Sequence, residues 1–170
     1  EAPEAAPRKE DQVVFLMEKK EFPALIEILD ESSVVFEGTA KTKEEAIREA
    51  GGILLSHKCV GEEYIDSMIR REEDYSTYLG NGVAIAHGTV QGRKRIRKTG
   101  VSIVRYPEGV PFGEESATLV FAAAGVGDDH MDLVQQICVA AQDEAVVTAL
   151  KQATSYREVR EALRNLALYK

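Results

Sequence analysis

Apolar positions along the chain switch between two periods, and the switches mark out its elements. Ala46, Ile47, Ala50, Ile53 and Leu54 recur at the 3.6-residue spacing of a helix with one face on a core. Thr42-Lys43-Glu44-Glu45 precedes that stripe and reads as a capping box, in which threonine and glutamate satisfy each other's terminal amides. The helix is expected to end near His57-Lys58, where cations favour the negative end of the helix dipole; that placement alone accounts for His57. Tyr64, Ile65, Met68 and Ile69 predict a second helix over about 62–73. Met131, Val134, Ile137, Cys138 and Ala141 predict a third, opened by Gly125-Val126-Gly127-Asp128-Asp129. A shorter helix follows around 144–152. The last starts near Tyr156 behind a second capping box, Ser155-Tyr156-Arg157-Glu158, with Val159, Ala162, Leu163 and Leu166 inward.

Between these stripes lie short apolar runs rich in β-branched residues, the pattern of strands. They are Val34-Val35-Phe36, Val83-Ala84-Ile85-Ala86, Val101 to Tyr106, and Thr118 to Ala124. The last is nearly continuous, as expected of a strand covered on both faces. Leu25, Ile26, Ile28 and Leu29 fit either a short helix or a strand. Residues 74–82 read as a loop, and 107–113, with two prolines and two glycines, as a turn-rich loop anchored by Phe112. Strands separated by helices, without an internal repeat, predict a single α/β domain: a central mixed β-sheet with α-helices on both faces. Residues 1–23 are expected to be a flexible linker or tail and 24–170 the folded domain. The first dozen residues are rich in Ala, Pro and charge without an apolar period, and the start at glutamate suits a processed or excised piece.

Composition narrows the classes. A hydrophobic fraction of 44% with 29% charged residues is that of a soluble globular domain. No apolar run approaches bilayer length, so a cytoplasmic protein is expected. The net charge of −8 argues against nucleic acid as a partner. The basic run Arg93-Lys94-Arg95-Ile96-Arg97-Lys98 lacks interleaved aromatics; it is expected to be a solvated connection with at most a modest role in steering an anionic partner. Cys59 and Cys138 form no metal or redox pattern, Cys138 reads as core filling, and a reducing compartment is the simplest inference.

No Gly-Lys-Ser/Thr follows a glycine cluster, and Gly125-x-Gly127 lacks the rest of a dinucleotide fingerprint. The histidines have no metal-ligand spacing, and no cofactor or metal is implied. A pair of histidines remains. His87 ends the run Val83 to Ala86, at the end of a strand, where ligands sit in α/β folds; it is a candidate nucleophile, acid/base, metal ligand or cap of its own turn. His130 opens the helix after another strand and is equally a candidate cap. If those strands are neighbours, the two imidazoles meet at one sheet edge. Near the positive end of a helix His130 would stay neutral. Helix amides and the Gly88-Thr89 turn could receive an anion, and a nearby arginine would complete a site for a phosphoryl group.

Thr77-Tyr78-Leu79-Gly80, then Val83 to Thr89, then Tyr106-Pro107-Glu108-Gly109-Val110-x-Phe112-Gly113-Glu114-Glu115 resemble, in order, the mannitol-type enzyme IIA domain of the bacterial sugar phosphotransferase system. The resemblance runs from about Ile28 to Leu168 and takes in Lys43-Glu44-Glu45-Ala46 and the His130 segment. It implies an α/β fold and a domain that accepts a phosphoryl group from the phosphocarrier HPr and passes it to a cysteine of enzyme IIB, for uptake of mannitol or a related sugar. Tethering to a membrane-embedded enzyme IIC is compatible with it. It implies that His87 is the phosphorylated residue and that His130 and Arg71 stabilise the phosphoryl group, with Arg70 adjacent to the arginine position. The chain departs from the family at Ala86, where most relatives have proline. Alanine removes a restraint on the approach to His87 but no reacting group, so transfer with a looser His87 loop is expected. The alternatives are a regulatory module of the same fold controlling a transcription factor or enzyme, and a metal-dependent hydrolase using His87 and His130.

Overall fold

The computed structural model describes residues 25–166; the expected linker at 1–23 lies outside them. A short helix α1 (Leu25–Ile28) and a 3₁₀ turn lead into strand β1 (Val34–Val35). Helices α2 (Lys43–Ser56) and α3 (Glu62–Asp74) follow, then strands β2 (Tyr78–Gly80) and β3 (Val83–Ala86) and a single-turn helix α4 (Val90–Arg93). The long hairpin of β4 (Gly100–Phe112) and β5 (Glu115–Ala124) precedes α5 (Asp129–Gln142), α6 (Glu144–Gln152) and α7 (Tyr156–Arg164).

The strands form one mixed sheet in the order β1-β4-β5-β3-β2. β4 and β5 run antiparallel, β1 parallel to β4, β3 parallel to β5, and β2 antiparallel to β3. Strand alternation sends successive side chains to opposite faces. Val83, Ile85, Ile103, Leu119 and Phe121 meet α1, α5, α6 and α7 through Leu25, Leu133, Ile137, Leu150 and Leu163. Ala84, Ala86, Val104, Val120, Ala122 and Ala124 meet α2 and α3 through Ile47, Leu54, Tyr64 and Met68. Four alanines on that second face let α2 and α3 lie close to the strands that carry the site. Each fully buried leucine or isoleucine in these layers contributes about 1.5–3 kcal/mol.

The helix starts follow their caps with a twist. Thr42 and Ser155 accept the amides of Glu45 and Glu158 as expected. The two glutamates, however, reach one residue further back, to the amides of Lys41 and Thr154. α2 stops where expected. His57 is its C-cap and Lys58 adopts a left-handed φ of 62°. The amides of Lys58 and Cys59 then close onto the carbonyls of Leu55 and Leu54, the six-to-one ending usually made by glycine.

Two expected loops are partly strand. Within 74–82, residues 78–80 pair with β3 across a turn at Asn81-Gly82, with Asn81 at φ 53°. The turn-rich segment 107–113 continues β4 to Phe112, past a register shift between Arg105 and Val110. Only residues 103 and 104 of β4 pair with β1. The far half of β4 is therefore an edge, where proline removes no ladder bond. Phe112 is buried, the anchor expected of it. Among the described residues no helix is long and apolar enough to cross a membrane.

Candidate functional site

Parallel pairing of β3 with β5, with Ala86 opposite Ala122, sends both strands out of the sheet at the same edge. His87 follows directly from β3. Gly125 follows β5 and leads through a short turn to His130 in the first turn of α5. The ring centroids of His87 and His130 lie 6.3 Å apart, tilted by 52°.

Each ring is fixed by one backbone group. His87 Nδ1 lies 3.1 Å from the Ile85 carbonyl. A carbonyl only accepts, so Nδ1 carries the proton and Nε2 keeps its lone pair. His130 Nδ1 accepts the Gly125 amide at 3.1 Å, so the proton of that neutral ring is on Nε2. Gly125 is required for this approach, because a Cβ there would strike the His130 backbone. His130 is buried, 2% exposed. Burial, and then the charges of Arg93 and His87, push it down to about 4. Burial also lowers His87, with Arg71 and Arg93 adding to the shift, while the Ile85 carbonyl and the Glu72 charge oppose it. Both rings are therefore neutral at pH 7. His130 is neutral as expected from its place at a helix start, with burial the first cause of the shift.

The loop carrying His87 is pinned to α3. The Gly88 amide donates to the Tyr64 hydroxyl at 2.9 Å, and that hydroxyl donates to the Ala123 carbonyl at 2.7 Å. A Cβ on Gly88 would collide with the Tyr64 ring and the Ser67 hydroxyl, so only glycine fits. Thr89 then caps α4 by accepting the Gly92 amide at 3.0 Å.

Arg71 stands in the last turn of α3. Its Nη1 donates to the Tyr75 carbonyl at 3.1 Å, and its guanidinium sits 5.8 Å from the centroid of the Tyr75 ring. Arg71, and not its exposed neighbour Arg70, is the charge felt at His87. Next to it, buried Glu72 accepts the amide of Thr77 at 2.7 Å and also the Thr77 hydroxyl. Its other oxygen has Lys43 Nζ at 3.6 Å, an ion pair without a hydrogen bond. Glu72 thus ties the entry of β2 to the end of α3.

Arg93 also belongs to this edge. The basic run is a solvated connection from Lys94 onward apart from buried Ile96, but Arg93 is half-buried. It lines a surface cavity of about 320 Å³ with Lys94, Val126, Gly127 and His130. Sequence reasoning missed the parts played by Tyr64, Glu72 and Arg93. The Arg93 signal was its place just after His87-Gly88-Thr89. Tyr64 sits among the apolar stripe of α3 and carries no mark of its second duty. Among the described residues no three His, Cys, Asp or Glu side chains are grouped to hold a metal ion.

Residues 27–166 match the family described as the phosphoenolpyruvate-dependent sugar phosphotransferase system, EIIA 2. The chain is 42% identical over 142 residues to a mannitol-specific phosphotransferase enzyme IIA component of Enterococcus faecalis, covering 81% of this chain and 98% of that protein. It is similar to the crystal structure of the mannitol IIA of Escherichia coli, with a TM-score of 0.73 and 41% identity over 79% of this chain and 98% of that one. A second Escherichia coli structure, the mannitol enzyme IIA in complex with phosphorylated enzyme IIB, gives a TM-score of 0.74 and 39% identity over 84% and 97%.

Proposed function

The chain belongs to the EIIA 2 family of the phosphoenolpyruvate-dependent sugar phosphotransferase system, and on that premise we propose that it is a phosphocarrier that takes a phosphoryl group onto His87 and hands it on. The observation that carries this reading is the pairing of two imidazoles of opposite tautomer, with ring centroids 6.3 Å apart. His87 keeps an Nε2 lone pair and His130 an Nε2–H, each set by a single backbone contact at Nδ1.

The chemistry needs little more than positioning and charge stabilisation. The donor is the phosphohistidine of HPr. As the His87 Nε2–P bond forms, the N–P bond of the donor breaks, and its electron pair returns to the donor ring. Positive charge then appears on the His87 ring and is met at Nδ1–H by the Ile85 carbonyl. His130 donates its Nε2–H to a phosphoryl oxygen, and Arg71 contributes positive charge. In the second transfer a cysteine thiolate of enzyme IIB attacks phosphorus, and the Nε2–P electrons return to His87. Neither histidine has to take up or release a proton.

A protein donor and a protein acceptor need a surface to dock on. Tyr75, Val90, Val126 and Met131 are the exposed large hydrophobic side chains among the described residues. All lie on the segments that carry Arg71, His87 and His130. An apolar border around a reactive centre suits transient docking of partners. The Escherichia coli relative seen with phosphorylated enzyme IIB supports IIB as the acceptor, and relatives named for mannitol favour transport of mannitol or a related polyol over regulation. A cytoplasmic location, where HPr is met, follows from the reading.

Incubation with enzyme I, HPr and labelled phosphoenolpyruvate should label His87, and His87→Ala should abolish labelling. Label retained without His87 would overturn the assignment.

A further inference from the structure

We infer that Arg93 is a second arginine of the phosphoryl site, held at rest on the thioether of Met131 and released from it to bind the phosphoryl group in flight. The inference rests on the carrier reading of His87.

Three observations place Arg93 there. It ends the single turn of helix that begins right after His87-Gly88-Thr89, so the nucleophile and the guanidinium ride on one short, capped segment. It shares the cavity beside His130. Its Nη1 donates to the Met131 sulfur at 3.4 Å, and Met131 is the residue next to His130. The guanidinium therefore rests beside the pair of rings, and its charge is felt at both.

The resting partner is the telling feature. Among the described residues Arg93 has no carboxylate within ion-pair distance. A thioether is a weak, uncharged acceptor, so leaving it costs little compared with breaking a salt bridge. A phosphoryl group offers the planar, charge-assisted and frequently bidentate partner that a guanidinium fits best. Arg71 differs, being held by the Tyr75 carbonyl and ring.

A resting place off the site also answers a chemical demand. Two arginines fixed on phosphohistidine would stabilise the carrier state and slow its discharge. An arginine that moves on as charge spreads over the equatorial oxygens, then moves off, lowers the barrier without trapping the intermediate. Arg93 forms no covalent bond. The N–P bond exchange is that described above.

Arg93→Gln and Arg93→Lys test this by rapid-quench transfer from phosphorylated HPr under single-turnover conditions. With HPr saturating, Gln should slow labelling of His87 by about 100- to 1,000-fold, the range for loss of one transition-state donor. Lys, a point charge, should recover part of that. Imidazole titration by NMR should show the acid pKa values of both His87 and His130 raised by Arg93→Gln, which a merely structural residue would not do to both rings. A wild-type saturating rate in Arg93→Gln overturns the inference and leaves the carrier reading intact. So does a loss confined to HPr affinity, which would make Arg93 a docking residue. A wild-type protein that takes no label on His87 removes the carrier reading itself.

Discussion

The hydroxyl of Tyr64 and the amide of Gly88 are joined at 2.9 Å, so a residue of the α3 core face sets the backbone just beyond His87. The same hydroxyl donates to Ala123 at 2.7 Å, at the end of the strand that leads to His130. Burial pushes this phenol well above the ordinary tyrosine range, so it keeps the proton it donates. One side chain thus links the exits of β3 and β5 and holds the spacing of the two rings.

Tyr64→Phe should leave the Gly88 amide and the Ala123 carbonyl without a partner while keeping the ring in the core. A buried polar group deprived of its partner costs about 1–3 kcal/mol, and urea denaturation should show a loss of that order. Amide exchange at Gly88 should speed up, and labelling of His87 should slow severalfold. Unchanged exchange at Gly88 would show that the hydroxyl is not what pins the loop.

Arg105 does comparable work far from the site. Its Nη1 donates to the carbonyls of Leu150, Lys151 and Ala153 at the end of α6, and its Nε to Phe36 at 3.1 Å. The Phe36 ring lies beneath the guanidinium, 5.0 Å from its centroid. Hydrogen bonds from a charged donor contribute about 1.5–3 kcal/mol each and do not add fully, so Arg105→Ala should destabilise by about 3 kcal/mol with transfer by the folded protein unchanged. Lysine cannot span these carbonyls with a planar fork and should recover less than half. Equal stability of the lysine variant would refute the capping role.

Acid should weaken the fold through its histidines. The folded state holds His130 at about 4, below the ordinary 6.5, so the unfolded chain binds the proton first. Stability is therefore full above about pH 6.5 and declines as pH falls toward 4, by about 3 kcal/mol from this residue alone. His87, also lowered, acts in the same direction. His130→Gln should flatten the decline between pH 7 and 4.5 without abolishing it. An unaltered slope would place the linkage elsewhere.

Much of this was legible in the sequence because periods and caps are local. Thr42, Ser155 and the stripes they introduce located α2 and α7. His87 and His130 came together because both adjoin apolar runs, and the parallel register of β3 on β5 did the rest. β2 was not legible, since three residues at Tyr78–Gly80 are too few to show alternation. The second half of β4 was hidden by Pro107, Gly109 and Pro111, which mark a loop unless one knows that the strand is an edge there. Tyr64, Glu72 and Arg93 serve the site through contacts between distant segments or through one rotamer, and neither is written in a period.

Ala86 stands directly before His87, and the structure shows what holds the histidine in place. Ala86 is buried against α2 and α3, and the loop beyond it is held by the Ile85 carbonyl, the Tyr64 hydroxyl and the Thr89 cap. Proline at 86 would add a fixed φ near −65°, narrowing the approach to His87 without adding a reacting group. If alanine leaves this segment looser, Ala86→Pro should reduce amide exchange at Gly88 and raise the labelling rate of His87. A modest stabilisation of about 0.4–1 kcal/mol should accompany it, through fewer unfolded conformations. A slower, less stable variant would mean that position 86 needs its amide. Rate and exchange both unchanged would mean that Tyr64 and Thr89 already supply the restraint that proline would add.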